Sequence, residues 1–246
     1  MQIQLQGLCK KFEKVRALDQ VSLTIDAGNI VCLLGNNGAG KTTLLQCLSS
    51  IVVPTSGHIY FDGERFLRGN MPLRTKIGVL PDFPIAFPNH TPLRHIAMVL
   101  RVYGRDTAEA EPRVLELLRN FDLLPLIDTP LSQLSRGQLY KAALVALLAA
   151  EPELLLFDEP FASGMDPNGI LAFKREARAA AARGATILYS TQILDIAENF
   201  SDKICVIDRG KVHCYAGMEE LAKLADAEGE GSVLEKLFQQ MRENAQ

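Results

Sequence analysis

Gly35-Asn36-Asn37-Gly38-Ala39-Gly40-Lys41-Thr42 has the GxxxxGKT spacing of a phosphate-binding loop. It follows the apolar run Ile30-Val31-Cys32-Leu33-Leu34 and leads into Thr43-Leu44-Leu45. A buried strand, a glycine loop and then a helix is the context in which this pattern denotes a site. Glycines let the backbone curl so that N–H groups from Gly35 to Thr43 converge on a phosphate chain. The helix start adds partial positive charge. In such a loop Lys41 reaches the terminal phosphates and the Thr42 hydroxyl holds Mg²⁺. The stretch therefore implies a bound nucleoside triphosphate.

Outward from the loop, the N-terminal side reads as strands. Ile3 and Leu5 alternate with Gln4 and Gln6, Val21–Ile25 alternates likewise, and Asp26-Ala27-Gly28-Asn29 is a turn cluster. On the other side, Lys41 to about Ser49 is the helix after the loop, and Pro54-Thr55-Ser56-Gly57 breaks the chain. Short strands are predicted over His58–Asp62 and Lys76–Leu80. From Thr91 to Ala150 the pattern turns helical. Thr91-Pro92 caps one helix. Thr107, Glu109 and Glu111 open a second whose apolar face carries Val114, Leu117, Leu118 and Phe121, and Ser135 opens a third. Strands return at Leu154–Phe157, Thr186–Ser190 and Lys203–Ile207, with a helix after Asp166-Pro167 and a hairpin turn at Gly210-Lys211.

The expected fold is α/β: a phosphate-loop core with a mostly parallel sheet, flanking helices and an N-terminal antiparallel β part. One domain spans 1–246, with an inserted helical subdomain at 83–140 and a C-terminal helix at 229–246. Gly229-Glu230-Gly231 would set that helix apart, and Ser232 with Glu235 would cap it. Its apolar side, Val233, Leu234, Leu237, Phe238 and Met241, suits docking on its own domain or a dimer contact.

Composition narrows the classes. With 246 residues, nearly half hydrophobic, the chain can bury a large core. The 26 basic residues against 29 acidic, with no extended basic stretch, give nucleic-acid binding no support. The five cysteines, Cys9, Cys32, Cys47, Cys205 and Cys214, form no CxxC pair and read as reduced thiols of a cytosolic protein. No stretch approaches the roughly 20 apolar residues that span a bilayer, and the N-terminus lacks the layout of a signal peptide. A link to a membrane must come from a partner chain.

Two further motifs carry chemistry. Leu154-Leu155-Leu156-Phe157-Asp158-Glu159 is an apolar strand ending in adjacent carboxylates. After a phosphate loop, the first steadies Mg²⁺ and the second polarises the attacking water. Leu134-Ser135-Arg136-Gly137-Gln138 precedes that strand, and its S-x-x-Q spacing is also that of a capping box. Both readings agree, because a capped helix start presents free N–H groups and a positive dipole end.

With this segment the chain resembles the ATP-binding cassette (ABC) ATPases along almost its whole length. Gly35–Thr42 matches Walker A, and Asp158 and Glu159 complete Walker B. Leu134–Gln138 matches the LSGGQ signature, and Ser163-Gly164-Met165-Asp166 the D-loop. The resemblance implies that ATP is sandwiched between two copies, with Ser135, Gly137 and Gln138 of one copy meeting the γ-phosphate held by the other. Phe12 matches the aromatic that stacks on adenine, and the match in spacing favours that role over the alternative that an aromatic after Lys10-Lys11 simply covers a sheet edge. Arg136 replaces the usual first glycine, and Gly137 keeps the close-approach role.

Two departures bear on turnover. After Ile77-Gly78-Val79-Leu80-Pro81, the family offers Gln or Glu to Mg²⁺, and here the residue is Asp82, which is shorter or else an ordinary turn residue. After Leu188-Tyr189-Ser190-Thr191 the family has His, and here it is Gln192. Gln192 can donate to the γ-phosphate but cannot carry charge or relay a proton. Thr42, Asp82 and Asp158 are thus the expected metal set, and Glu159 and Gln192 the catalytic pair, with slow turnover as a consequence.

By resemblance, the expected role is the ATP-hydrolysing subunit of a transporter, peripheral on the cytoplasmic membrane face. It would work as a dimer, most simply of identical copies, on a separate membrane-spanning subunit. The segment from Phe87-Pro88-Asn89-His90-Thr91 to Tyr103-Gly104 resembles ATPases serving two-subunit exporters. Phe83, Pro84, Ile85, Phe87 and Pro88 offer apolar surface for docking, or form a packed loop. The alternatives are a nucleotide-operated switch that hardly turns over, and a soluble ABC ATPase without transport. Against the latter stands the absence of a coiled-coil insert, a second cassette or a basic stripe.

Overall fold

The structure is a computed structural model that describes residues 1–84, 87–225 and 232–243, excluding the side chains of 241–243. Ile85, Gly229-Glu230-Gly231 and the Met241 side chain lie outside the described residues.

Strand propensity and alternation give two sheets. Strands β1 (Ile3–Phe12) and β2 (Val15–Ile25) form a hairpin, and β1 also pairs antiparallel with β4 (Ser56–Phe61). The two-residue β5 (Glu64–Arg65) completes this antiparallel sheet, in the order β2-β1-β4-β5. The second sheet runs β10-β9-β3-β8-β7-β6. Its members are β3 (Ile30–Leu34), β6 (Ile77–Leu80), β7 (Leu154–Phe157), β8 (Thr186–Thr191), β9 (Lys203–Asp208) and β10 (Lys211–Ala216). All pairs are parallel except that of β10, an antiparallel edge turned back at Arg209-Gly210.

The continuously apolar central strands are buried on both faces, as a parallel sheet requires. Val31 and Leu33 face a core shared with the antiparallel sheet and helix α1 (Lys41–Leu48). Ile30, Cys32 and Leu34 face the other core, built with the remaining long helices. Those helices are α3 (Pro92–Val102), α4 (Ala110–Asn120), α5 (Arg136–Ala149) and α6 (Pro167–Ala182). Short α2 (Met71–Arg74) precedes β6, α7 (Leu194–Phe200) follows β8, and α8 (Met218–Leu224) and α9 (Val233–Glu243) follow β10.

Local chemistry accounts for the helix starts. Thr91 caps α3 through its hydroxyl, Asp166 caps α6, and Ser135 with Gln138 forms a complete capping box on α5. Helix α4 differs from expectation: it begins at Ala110 without a side-chain cap, and Thr107 offers its carbonyl to the Ala110 N–H. Helix α5 is continuous across residue 140 and lies among the buried residues that join α3 and α4 to the sheet. Helix α9 docks on its own chain through buried Leu234 and Leu237. The Glu198 carboxylate of α7 secures its start, accepting from the Ser232 hydroxyl and, at 2.9 Å, from the Leu234 N–H. The five cysteines are free thiols. Burial pushes Cys32 up to about 12 and Cys47 up to about 11, so both stay protonated and act as small apolar fillers. Among the described residues, no helix is long and apolar enough to cross a membrane.

Candidate nucleotide site

The site forms at the carboxyl ends of β3, β7 and β8, which lie side by side. Beyond β3 the chain curls tightly, and Ala39 N–H bonds Asn36 O at 3.2 Å. Gly40 adopts φ 111°, and a side chain there would begin 2.6 Å from Ala17 O of β2. Only glycine fits both the angle and the contact. Gly40 is also the N-cap of α1 and supplies no side-chain cap, which leaves the first N–H groups of that helix open to an anion. The turn after β9 buttresses the loop from behind, with Gly210 N–H donating to Ala39 O at 2.8 Å.

Lys41 is 5% exposed and points back into the curl. Its ammonium donates to Gly35 O at 2.7 Å and Asn36 O at 3.2 Å, and lies 3.5 Å from the Glu159 carboxylate. A buried ammonium held by loop carbonyls is a cationic socket of the size and sign that a phosphate chain fits. Thr42 turns the other way and donates to Asp158 Oδ1 at 3.1 Å. The hydroxyl and the carboxylate meet although 116 residues apart. They are the hard oxygen donors that, with phosphate oxygens, suit Mg²⁺.

Ser190 organises the carboxylates, and reading Leu188–Gln192 for Gln192 alone missed it. Its hydroxyl donates to Asp158 Oδ1 at 2.6 Å and accepts from the Glu159 N–H at 2.9 Å. Glu159 itself adopts φ 47°, a left-handed conformation rare for a residue with a side chain. One fully buried hydroxyl therefore fixes the direction of Asp158 and the bent backbone of Glu159. Burial raises the Glu159 pKa, Lys41 opposes the rise, and Asp158 and Asp82 add to it. The sequence signal for Ser190 is its place at the end of a strand beside β7.

The other candidates fall into three places. Gln192 lines a cavity of about 520 Å³ with Gly35, Asn36, Leu194, Glu235 and Phe238, so the structure brings it to the loop. Phe12 stands at the β1–β2 hairpin, 43% exposed, with the Lys10 ammonium 4.7 Å from its ring centroid. The same hairpin passes the loop at Ala17. Ser135, Gly137 and Gln138 share the first turn of α5, and none of them hydrogen-bonds the 35–42 loop among the described residues. Gly137 has a partner that the sequence did not disclose: a side chain there would begin 2.1 Å from Gly164 O. Its bareness makes room for the Ser163–Asp166 segment, and Lys141 of the same helix bonds Asp166 at 2.8 Å. Asp82 is not turned to Thr42; its carboxylate takes the Arg136 guanidinium at 2.6 Å.

A family profile described as "ABC transporter" matches residues 18–162, which spans the loop, the signature segment and both carboxylates. The chain belongs to the ABC transporter family.

Its relatives include both transport directions. It is 32% identical over 219 residues to the daunorubicin resistance ATP-binding protein DrrA3 of Streptomyces coeruleorubidus, covering 89% of this chain and 69% of that one. It is 33% identical over 243 residues to the Fe(3+) ions import ATP-binding protein FbpC of Pasteurella multocida, covering 96% and 69%. Among solved structures, one described as the ATP-binding subunit of an ABC transporter superposes with a TM-score of 0.90 at 29% identity, covering 97% and 99%. ABC ATP-binding subunits bind and hydrolyse ATP, so this chain is an ABC-type ATPase. The mixed sheet and phosphate-loop core match those of its structural relatives.

Proposed function

We propose that this ABC subunit hydrolyses ATP as a dimer, driving a separate membrane-spanning subunit of an export system. The carrying observation is the network Lys41–Glu159 and Thr42–Asp158–Ser190, which presents a cation, a hard-oxygen pair and an aimed carboxylate at one loop. Lys41 takes the terminal phosphates. Thr42 and Asp158 would hold Mg²⁺, which when bound supplies charge to the phosphate oxygens. Glu159 orients water for in-line attack, and Gln192 donates to the γ-phosphate. Phe12 covers the adenine. The capping box of α5 leaves the N–H groups of Arg136 and Gly137 outside its two hydrogen bonds, which suits contact with the phosphate held by a second copy. Hydrolysis removes the group that both copies grip, so the dimer loosens.

Several features support the membrane role. The α3–α5 segment, proposed as a subdomain over 83–140, begins with Phe83 at 64% and Phe87 at 56% exposure, while Pro84 is buried. Exposed aromatics on a buried proline anchor suit docking of a helix from the membrane subunit. The relatives named for drug resistance and Nod factor export favour export. The test is co-purification with a multi-spanning membrane protein, together with phosphate release by the purified chain beside a Glu159→Gln control. Equal release by both would defeat the enzymatic reading.

The second reading is a slow nucleotide switch, favoured by Gln192 and by Asp82 being engaged elsewhere. Loss of one positioned transition-state donor costs about 10²–10³ in rate. Gln192→His then raises kcat, and an unchanged kcat would show that the amide suffices.

A further inference from the structure

Residues 82 and 136 both depart from the family pattern, and the structure joins them. Asp82 follows β6 and Arg136 opens α5, 54 residues apart, yet their carboxylate and guanidinium meet at 2.6 Å. The side chains are 51% and 49% exposed, so this is a surface pair that water and competing anions reach. Such pairs are weak and exchangeable. Arg136 also sits one residue after the Ser135 cap, on the first turn that faces the second copy in the reading above.

Apart from the Mg²⁺ that Thr42 and Asp158 would hold, the side-chain positive charge at the phosphate site within one chain is partly offset by carboxylates. Lys41 is the cation enclosed by the loop, and it faces Glu159 with Asp158 close by. The adjoining cavity is lined by Gly35, Asn36, Gln192 and Glu235, with no basic side chain among the described residues that line it. A terminal phosphate carries more negative charge than one carboxylate and accepts two parallel bonds from a guanidinium.

We propose that Arg136 supplies a second cation to the terminal phosphate bound by the opposite copy, and that Asp82 holds this guanidinium in waiting until the two copies close. The exchange trades a carboxylate for a phosphate as acceptor, and no bond beyond hydrogen bonds is made or broken. Asp82 is then a positioning residue that competes with the nucleotide, rather than a ligand of the metal. This inference rests on the two-copy reading of the α5 start.

The two roles for Asp82 predict opposite signs. ATP-driven pairing is measured by sedimentation in Mg²⁺ and ATP, with Glu159→Gln as the parent to stop turnover. Arg136→Gln weakens pairing about tenfold for each of the two phosphate contacts in the dimer, as expected for a charge-assisted hydrogen bond, makes it less sensitive to salt, and Arg136→Lys restores part of it. Asp82→Asn tightens pairing about threefold for each of the two ion pairs released, the scale of an exposed ion pair, and has no effect once Arg136 is Gln. A gain of pairing that still requires ATP and Mg²⁺ separates this outcome from the self-association of misfolded protein. Weaker or unchanged pairing in Asp82→Asn, or unchanged pairing in Arg136→Gln, overturns the proposal and leaves the two-copy reading standing. Absence of ATP-driven pairing in the Glu159→Gln parent overturns both.

Discussion

The Lys41 ammonium lies 3.5 Å from the Glu159 carboxylate, joining the phosphate loop to the end of β7 by charge. Burial raises the Glu159 pKa from its ordinary 4.5, Lys41 lowers it, and Asp158 and Asp82 raise it, with a net rise. A carboxylate that must be ionised to accept a proton from water loses function as pH falls through its pKa. The acid limb of kcat/KM, which reports the nucleotide-free protein, is therefore shifted upward from the ordinary glutamate value. Asp82→Asn removes a raising charge and moves the limb to lower pH. Phosphate release measured against pH checks this, and a limb that stays put or moves upward contradicts it.

Ser190→Ala leaves Asp158 without its 2.6 Å donor and Glu159 N–H without its acceptor. Residues that orient a metal-binding or catalytic group are worth about 10–100-fold in activity. Turnover should fall by about tenfold or more, with a smaller change in ATP affinity because Lys41 and the loop are untouched. Ser190→Thr keeps the hydroxyl and most of the rate. Equal losses in Ser190→Ala and Ser190→Thr would place the effect in packing instead.

Within a helix, glycine to alanine ordinarily stabilises by about 1 kcal/mol. At Gly137 the sign reverses, because the new methyl group would sit 2.1 Å from Gly164 O. Forcing the Ser163–Asp166 segment away costs about 1–3 kcal/mol, the range for overpacking. Thermal unfolding of Gly137→Ala should show a lower midpoint. A higher midpoint would mean that the segment yields freely.

Arg113 of α4 bonds Glu176 of α6 at 2.6 Å, and Asn120 adds a bond at 3.0 Å. The Glu176 side chain is 4% exposed, and removing Arg113 leaves its buried charge to Asn120 and to the exposed Arg175 guanidinium at the longer distance of 3.5 Å. Arg113→Ala should cost about 3 kcal/mol. Adding Glu176→Gln to it should recover part of the loss. Urea unfolding of the single and double variants measures both, and additive losses would show that the pair is not coupled.

Much of this was legible in the sequence because the determining contacts are local. The GxxxxGKT curl, the Ser135–Gln138 box and the Thr91 cap each close within a few residues. The apolar runs Ile30–Leu34 and Leu154–Phe157 have the composition of strands buried on both faces. Thr107 misled because a capping residue is a statistical preference, and here the carbonyl of Thr107 rather than its hydroxyl meets the helix start.

From its own order of residues, the chain determined a phosphate loop, two strand-end carboxylates and a capped helix. These depend on backbone geometry over a single turn or strand. Tertiary structure alone decided what stands beside them: Ser190 under Asp158 and Glu159, Gly164 against Gly137, and Arg136 on Asp82. Which strands become neighbours follows from burying both faces of a six-stranded sheet at once. That is a property of the whole chain, and no short segment records it.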